Sequence, residues 1–202
     1  MNVADVEEIL NQLILANEDP EWRENGASGF MCACQEGWMP EVAAYITLWE
    51  RADVLNVQVN ATQFVNGSGD VGYTGLHMAS WFENPNMVNF LLANGASTGM
   101  TDTNDQGGTL PLHWAAWKTE NELATLDALL ENMRINNVNV NHLALNAADE
   151  ADTDQYTALD WAYGWNHGNL RMQVINLLRA HGGRANCHDA NGNYVGSGNG
   201  EL

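Results

Sequence analysis

Apolar residues in this chain recur in paired blocks. GYTGLHMAS (72–80), GTLPLHWAA (108–116) and QYTALDWAY (155–163) align on sight. Each leads into an apolar run of helical period: MVNFLLANGA (87–96), LATLDALLENM (123–133) and VINLLRAHGG (174–183). Leu91-Leu92, Leu129-Leu130 and Leu177-Leu178 fall at one phase, so each second run presents an apolar stripe. Glycine or asparagine follows as a stop signal. The first runs carry small alanines that let neighbouring helices approach closely. A fainter copy, SGFMCACQEGWMPEVAAYITLWERADV (28–54), precedes them without the threonine and histidine. The pattern predicts short helix pairs, none able to bury its apolar face alone, stacked into one array.

The repeated unit resembles the ankyrin repeat, which opens with a turn and T-P-L-H and continues into two short antiparallel helices. Thr74, Leu76, His77 and Ala79 carry the likeness in one copy; Pro111, Leu112, His113, Ala115 and Ala116 carry it in the next. Gly72 and Gly108 fall at the family's turn glycine, and Gly95-Ala96 at its helix-ending pair. Gly75 and Ala158 depart from the usual proline, Leu110 from threonine, and Asp160 from histidine. The resemblance spans about residues 25 to 192. It implies an all-α solenoid with repeats near 25–68, 69–104, 105–151 and 152–192, behind an N-terminal capping helix within 1–24 (Val3 to Asn17) and ahead of a flexible tail, 193–202. His77 and His113 are then turn-bracing side chains, and Met78, Trp114 and Trp161 stand where a buried leucine is common.

Repeat spacing adds a second signal. Ser28, Thr74, Leu110 and Thr157 are equivalent and lie 46, 36 and 47 residues apart, against about 33 in the usual unit. The excess is expected near 51–68 and 132–153, the first alternating apolar and polar residues as an extended hairpin does. The second ends in Asp149, Glu150, Asp152 and Asp154, with Asp160 further on. Insertions tend to cluster on a binding face, although a long loop also tolerates insertion without function.

The resemblance also implies partner binding through hairpin tips and the exposed face of the inner helices. Those positions are Trp81 and Phe82, Trp117 and Lys118, then Gly164 and Trp165. The hairpin positions include Asp70, Tyr73, Asp105, Thr109 and Tyr156. Exposed tryptophan is normally avoided unless it contacts something, and Trp and Tyr dominate interface energetics. The expected surface is an aromatic stripe bordered by acid, unless insertions or tail cover the rings.

Charge sharpens that picture. Asp and Glu number 26 of 202 residues, but Lys and Arg only 7, with Lys118 the sole lysine, giving a net charge of -19. Such a surface repels nucleic acid and anionic membrane and speeds encounter with basic proteins; in a milder reading it serves only solubility.

Chemistry is thin. Neither a Ser-His-Asp nor a Cys-His arrangement arises locally among His77, His113, His142, His167, His181 and His188. Cys32 and Cys34, two apart on a predicted helix, point to different sides. Cys187-His188 lies at the far end of the array. DANGNYVGSGNGE, from Asp189, imitates a calcium loop but has Tyr194 where glycine is needed and Gly200 where the glutamate belongs. Three cysteines make no disulfide framework. Residues 1–20 show neither a basic start nor a long apolar run, so no signal peptide or membrane span is expected.

The expectation is therefore a non-catalytic, cofactor-free and metal-free binding module, monomeric on its own and cytoplasmic (in a host's cytoplasm if viral or an effector). Its expected partner is a basic protein rather than nucleic acid or membrane. Three versions stand: an inhibitor or immunity protein plugging a basic enzyme such as a nuclease toxin; a viral or symbiont nucleic-acid mimic; or a scaffold or accessory subunit.

Overall fold

A computed structural model describes residues 29–51, 59–60, 63–64, 72–102, 108–145, 154–164 and 168–201. The N-terminal helix expected within 1–24 lies outside them. So do the hairpin residues Asp70 and Asp105, the carboxylates Asp149, Glu150 and Asp152, and Trp165.

Four helix pairs run along the described chain: α1 (Gly29–Glu36) with α2 (Met39–Arg51), α3 (Gly75–Trp81) with α4 (Pro85–Ala93), α5 (Pro111–Lys118) with α6 (Ala124–Ile135), and α7 (Ala158–Gly164) with α8 (Arg171–Ala180). A 3-10 turn, Gly168–Leu170, leads into α8. The inner helices α1, α3, α5 and α7 stack in order, and each outer helix backs its own inner one. One apolar core runs through all four pairs, from Phe30 and Val42 through Leu91, Leu129 and Leu130 to Leu178.

Small residues set the inner spacing. A methyl group on Gly75 would lie 2.8 Å from both Cys34 Sγ and a Phe30 ring carbon. Glycine replaces the usual proline here because α1 leaves no room for a larger residue.

Five helices end the same way. A residue with positive φ follows the helix, and the next N–H reaches back five positions to a carbonyl, closing a Schellman turn. The positive-φ residue is Gly37, Gly95 or Gly182 after α1, α4 and α8, but Glu83 (φ 49°) after α3 and Asn137 (φ 54°) after α6. The closing bonds are Trp38 N–H to Ala33 O, Asn84 to Ala79, Ala96 to Leu91, Val138 to Met133 and Gly183 to Leu178. The stop signals read in the sequence thus act, and a glutamate fills one of their places.

Two short ladders join the repeats. β1 (Gln63–Phe64) pairs antiparallel with β2 (Gly72–Tyr73), and β3 (Ala144–Leu145) with β4 (Gln155–Tyr156). Residues 65–71 and 146–153, between the paired strands, lie outside the described residues. Residues that precede both ladders are anchored alike. The Asn60 amide donates to Gly95 O (3.0 Å) and accepts from Ser97 N–H (2.7 Å). Asn141 does the same with Gly182 O (3.1 Å) and Arg184 N–H (2.6 Å).

The expected tail, 193–202, is described to residue 201 and returns onto the chain. After α8 the chain turns tightly at Asp189, forms a bridge between His188 and Tyr194, and runs back along its own preceding residues. Val195 N–H donates to Cys187 O, Gly200 N–H to Asn186 O and Glu201 N–H to Ala185 O. Arg179 pairs with Glu201. Glycines permit this close return, since a methyl on Gly200 would lie 2.6 Å from Ala185 O.

Candidate partner-binding surface

The turn that opens each repeat fixes the side chains on the inner face. In α3, Thr74 N–H and its hydroxyl both point at His77 Nδ1 (3.2 and 2.8 Å). Nδ1 therefore carries no proton, and Nε2–H donates to Thr109 O in the next repeat (2.9 Å). His113 repeats the arrangement, accepting Leu110 N–H at Nδ1 (3.1 Å) and reaching His142 O through Nε2 (3.2 Å). Leu110 has no hydroxyl, so only half of the cap survives there. Burial holds both imidazoles neutral, lowering His77 to about 4 and His113 to about 3. His113, between two tryptophans, is a brace.

In α7 Asp160 takes the same place, accepting at the cap as the histidines do but also accepting on its outer side, where they donate. Its carboxylate accepts Thr157 N–H (2.8 Å) at the cap, then Asn186 N–H (2.7 Å) and Cys187 N–H (2.9 Å) of the following turn. His188 Nδ1 lies 2.9 Å away. Burial alone would raise this carboxyl, but His188 and the three backbone donors outweigh it and hold it below the ordinary carboxylate range. Asp160 therefore belongs to the core and not to the acidic run that precedes it in sequence.

Above these turns the inner helices carry an aromatic ladder. Trp81 of α3 meets Trp114 and Trp117 of α5 at 4.8 and 4.9 Å, edge to face. Tyr73 stands on Trp114 at 5.0 Å, and Trp117 on the buried Trp161 of α7 at 5.4 Å. Trp81 and Trp117 were expected exposed; they are half-buried because they cover each other. Trp114, expected buried, is half-buried and joins the face. Its position three before Trp117, on the same side of one helix, was the available signal. Met78 is half-buried as well.

Lys118 lies over the Trp81 ring, its Nζ 4.9 Å from the centroid, a contact of about 0.5–1 kcal/mol at a site open to water. Phe82, beside it, is 45% exposed. The structure thus brings Tyr73, Trp81, Phe82, Trp117 and Lys118 onto α3, α5 and the strand before α3.

Thr109 does not join the surface. It is fully buried: its N–H donates to Asp102 Oδ1 (3.0 Å), its hydroxyl to Asp102 Oδ2, and that hydroxyl receives Trp114 Nε1–H (2.6 Å). It locks the hairpin and aims Trp114. Tyr156 sits half-buried in β4 opposite Ala144. Asp154 is half-buried and accepts the Tyr194 hydroxyl.

The cysteines do not converge. Cys34 is buried against α3 and its thiol is pushed far up by burial, while Cys32 is raised to about 11 by burial and then by Glu36. Among the described residues no three His, Cys, Asp or Glu side chains gather as a metal site. No described helix is long and apolar enough to cross a membrane.

Stacked helix pairs, three of them braced at the opening turn by His77, His113 or Asp160, define a helical-repeat solenoid. A family model described as ankyrin repeats (3 copies) matches residues 76–189. The chain belongs to the ankyrin-repeat family, an all-α repeat fold whose members are in general non-catalytic protein–protein interaction modules. No curated protein matches it.

Proposed function

We propose that this protein is a non-catalytic inhibitor that binds a basic protein through the inner-helix face. One observation carries the reading: a half-open tryptophan ladder lies across two adjacent repeats of a chain with net charge -19. Half-buried tryptophans supply large, rigid contact area at low entropic loss. The charge steers a cationic partner and repels nucleic acid and anionic membrane. Asp70, Asp105, Asp149, Glu150, Asp152 and Asp154 are proposed to register its basic side chains, with Phe82 and Trp165 as outer apolar anchors.

The test is capture from source lysate at low and high salt, with a Phe82→Ala, Trp165→Ala double variant that leaves the stacked rings in place. A basic protein held by the wild type, released by salt, inhibited on binding and missed by the variant supports the reading. Partners that bind both forms at every ionic strength favour an apolar scaffold contact elsewhere, with charge serving solubility.

A further inference from the structure

We propose that the Trp81 ring is the seat for an arginine side chain of the partner, and that Lys118 is its resident occupant when no partner is bound. The inference deepens the interaction reading and rests on it.

The chain shows on itself that this ring accepts a cation, since Lys118 Nζ lies over it. Trp114 and Trp117 stand against Trp81 at 70° and 83°. These edge-to-face contacts hold the ring in one orientation. All three rings are half-buried, so a side chain arriving from solvent can reach them. Lys118 is also the sole lysine or arginine on the four inner helices. Among the described residues it forms no ion pair with a carboxylate. Among the described residues a ring face is what holds its ammonium, on a flexible four-carbon stem, and leaving is easy.

An arriving guanidinium suits the place better than the ammonium it displaces. It is planar, more weakly hydrated, and stacks on an indole face. Charge complementarity selects the same partner: a strongly anionic chain draws in basic surfaces, and removing Lys118 from the ring leaves that face without a cation.

The experiment follows the indole N–H signals of the full chain by NMR while N-acetyl-arginine methylamide is added, with the neutral N-acetyl-citrulline methylamide as control. Trp81→Leu identifies the Trp81 signal, and its melting curve shows whether the fold survives. The expected result is a saturable shift of the Trp81 signal with the arginine probe alone. Lys118→Met should tighten that binding about two- to fivefold, the factor matching one exposed cation–π contact. Arg184→Met, which removes the same charge elsewhere, should change it much less. Equal binding of the citrulline probe, an unchanged affinity in Lys118→Met, or an equal gain in Arg184→Met overturns the seat. The two readings fail separately: salt-sensitive capture of a basic partner that survives Trp81→Leu leaves the interaction face standing and sinks only the seat, whereas loss of all salt-sensitive capture in the wild type sinks the interaction reading.

Discussion

Glu83 sits in the left-handed region, where a side chain is strained. Its carboxylate accepts Glu120 N–H (2.7 Å), Asn121 N–H (3.2 Å) and the Asn121 amide (3.1 Å), so the strained residue ties α3 to the turn before α6. Two effects oppose each other here, and two substitutions separate them. Glu83→Ala keeps the strain and loses the clamp, and should lower stability by about 1–2 kcal/mol. Glu83→Gly loses the same clamp but relieves the backbone, and should recover about 1 kcal/mol of that by chemical denaturation. The braces make a further statement at this scale. His77 and His113 titrate near 6.5 when unfolded but near 4 and 3 when folded. Depressed folded values mean stability is complete above pH 6.5 and is lost as pH falls toward 3–4. The slope should approach about 1.4 kcal/mol per pH unit for each histidine. Asp160, also depressed, adds a loss of the same sign only below its ordinary range near 3.8. Urea midpoints at pH 7, 6, 5 and 4.5 would show it, and His113→Gln should flatten the curve by about one histidine's share.

Helices α3, α5 and α7 are coupled through tryptophan rings as well as through small residues. Trp117→Ala removes contacts to Trp81, Trp114 and Trp161 together, and should cost about 2–3 kcal/mol, below the figure for a fully buried ring. A double-mutant cycle with Trp81→Ala should return a coupling of about 0.5–1.5 kcal/mol; additive losses would mean the rings merely neighbour each other. The helix pairs themselves were legible in the sequence, because the turn motif and the paired leucines are local signals that recur at one phase. Ring burial was not. Whether Trp81 faces solvent depends on how far one repeat rotates against the next, and no window within a repeat encodes that. Thr109 misled for a related reason: its partner Asp102 lies seven residues back, so an exposed-looking hairpin threonine became a buried lock. The likeness of Asn60 to Asn141 was equally hidden, since a repeat without their insertion separates them. Asn141→Ala should speed amide exchange at Arg184, whose N–H would lose its acceptor.

Across the whole molecule, 26 acidic residues against 7 basic ones make the fold repel itself. Raising salt from about 10 to 150 mM should therefore raise the melting temperature, while the same change weakens capture of a basic partner. Opposite signs for folding and binding would separate self-repulsion from steering in a single titration series. The C-terminal strap should matter in the same measurement. Ending the chain after Asn193 removes the returning segment from Val195 to Glu201 and uncovers Ala185 and Asn186, so the melting temperature should fall by several degrees. The turn that follows α7 has a longer consequence. At the seam after α3 the brace gives a proton to the next repeat's carbonyl; at Asp160 it takes protons from the next turn's amides. A copy of the α5–α6 unit spliced in after α8 would meet this carboxylate with a carbonyl, acceptor against acceptor. The repeat units of this array are therefore not interchangeable at that joint.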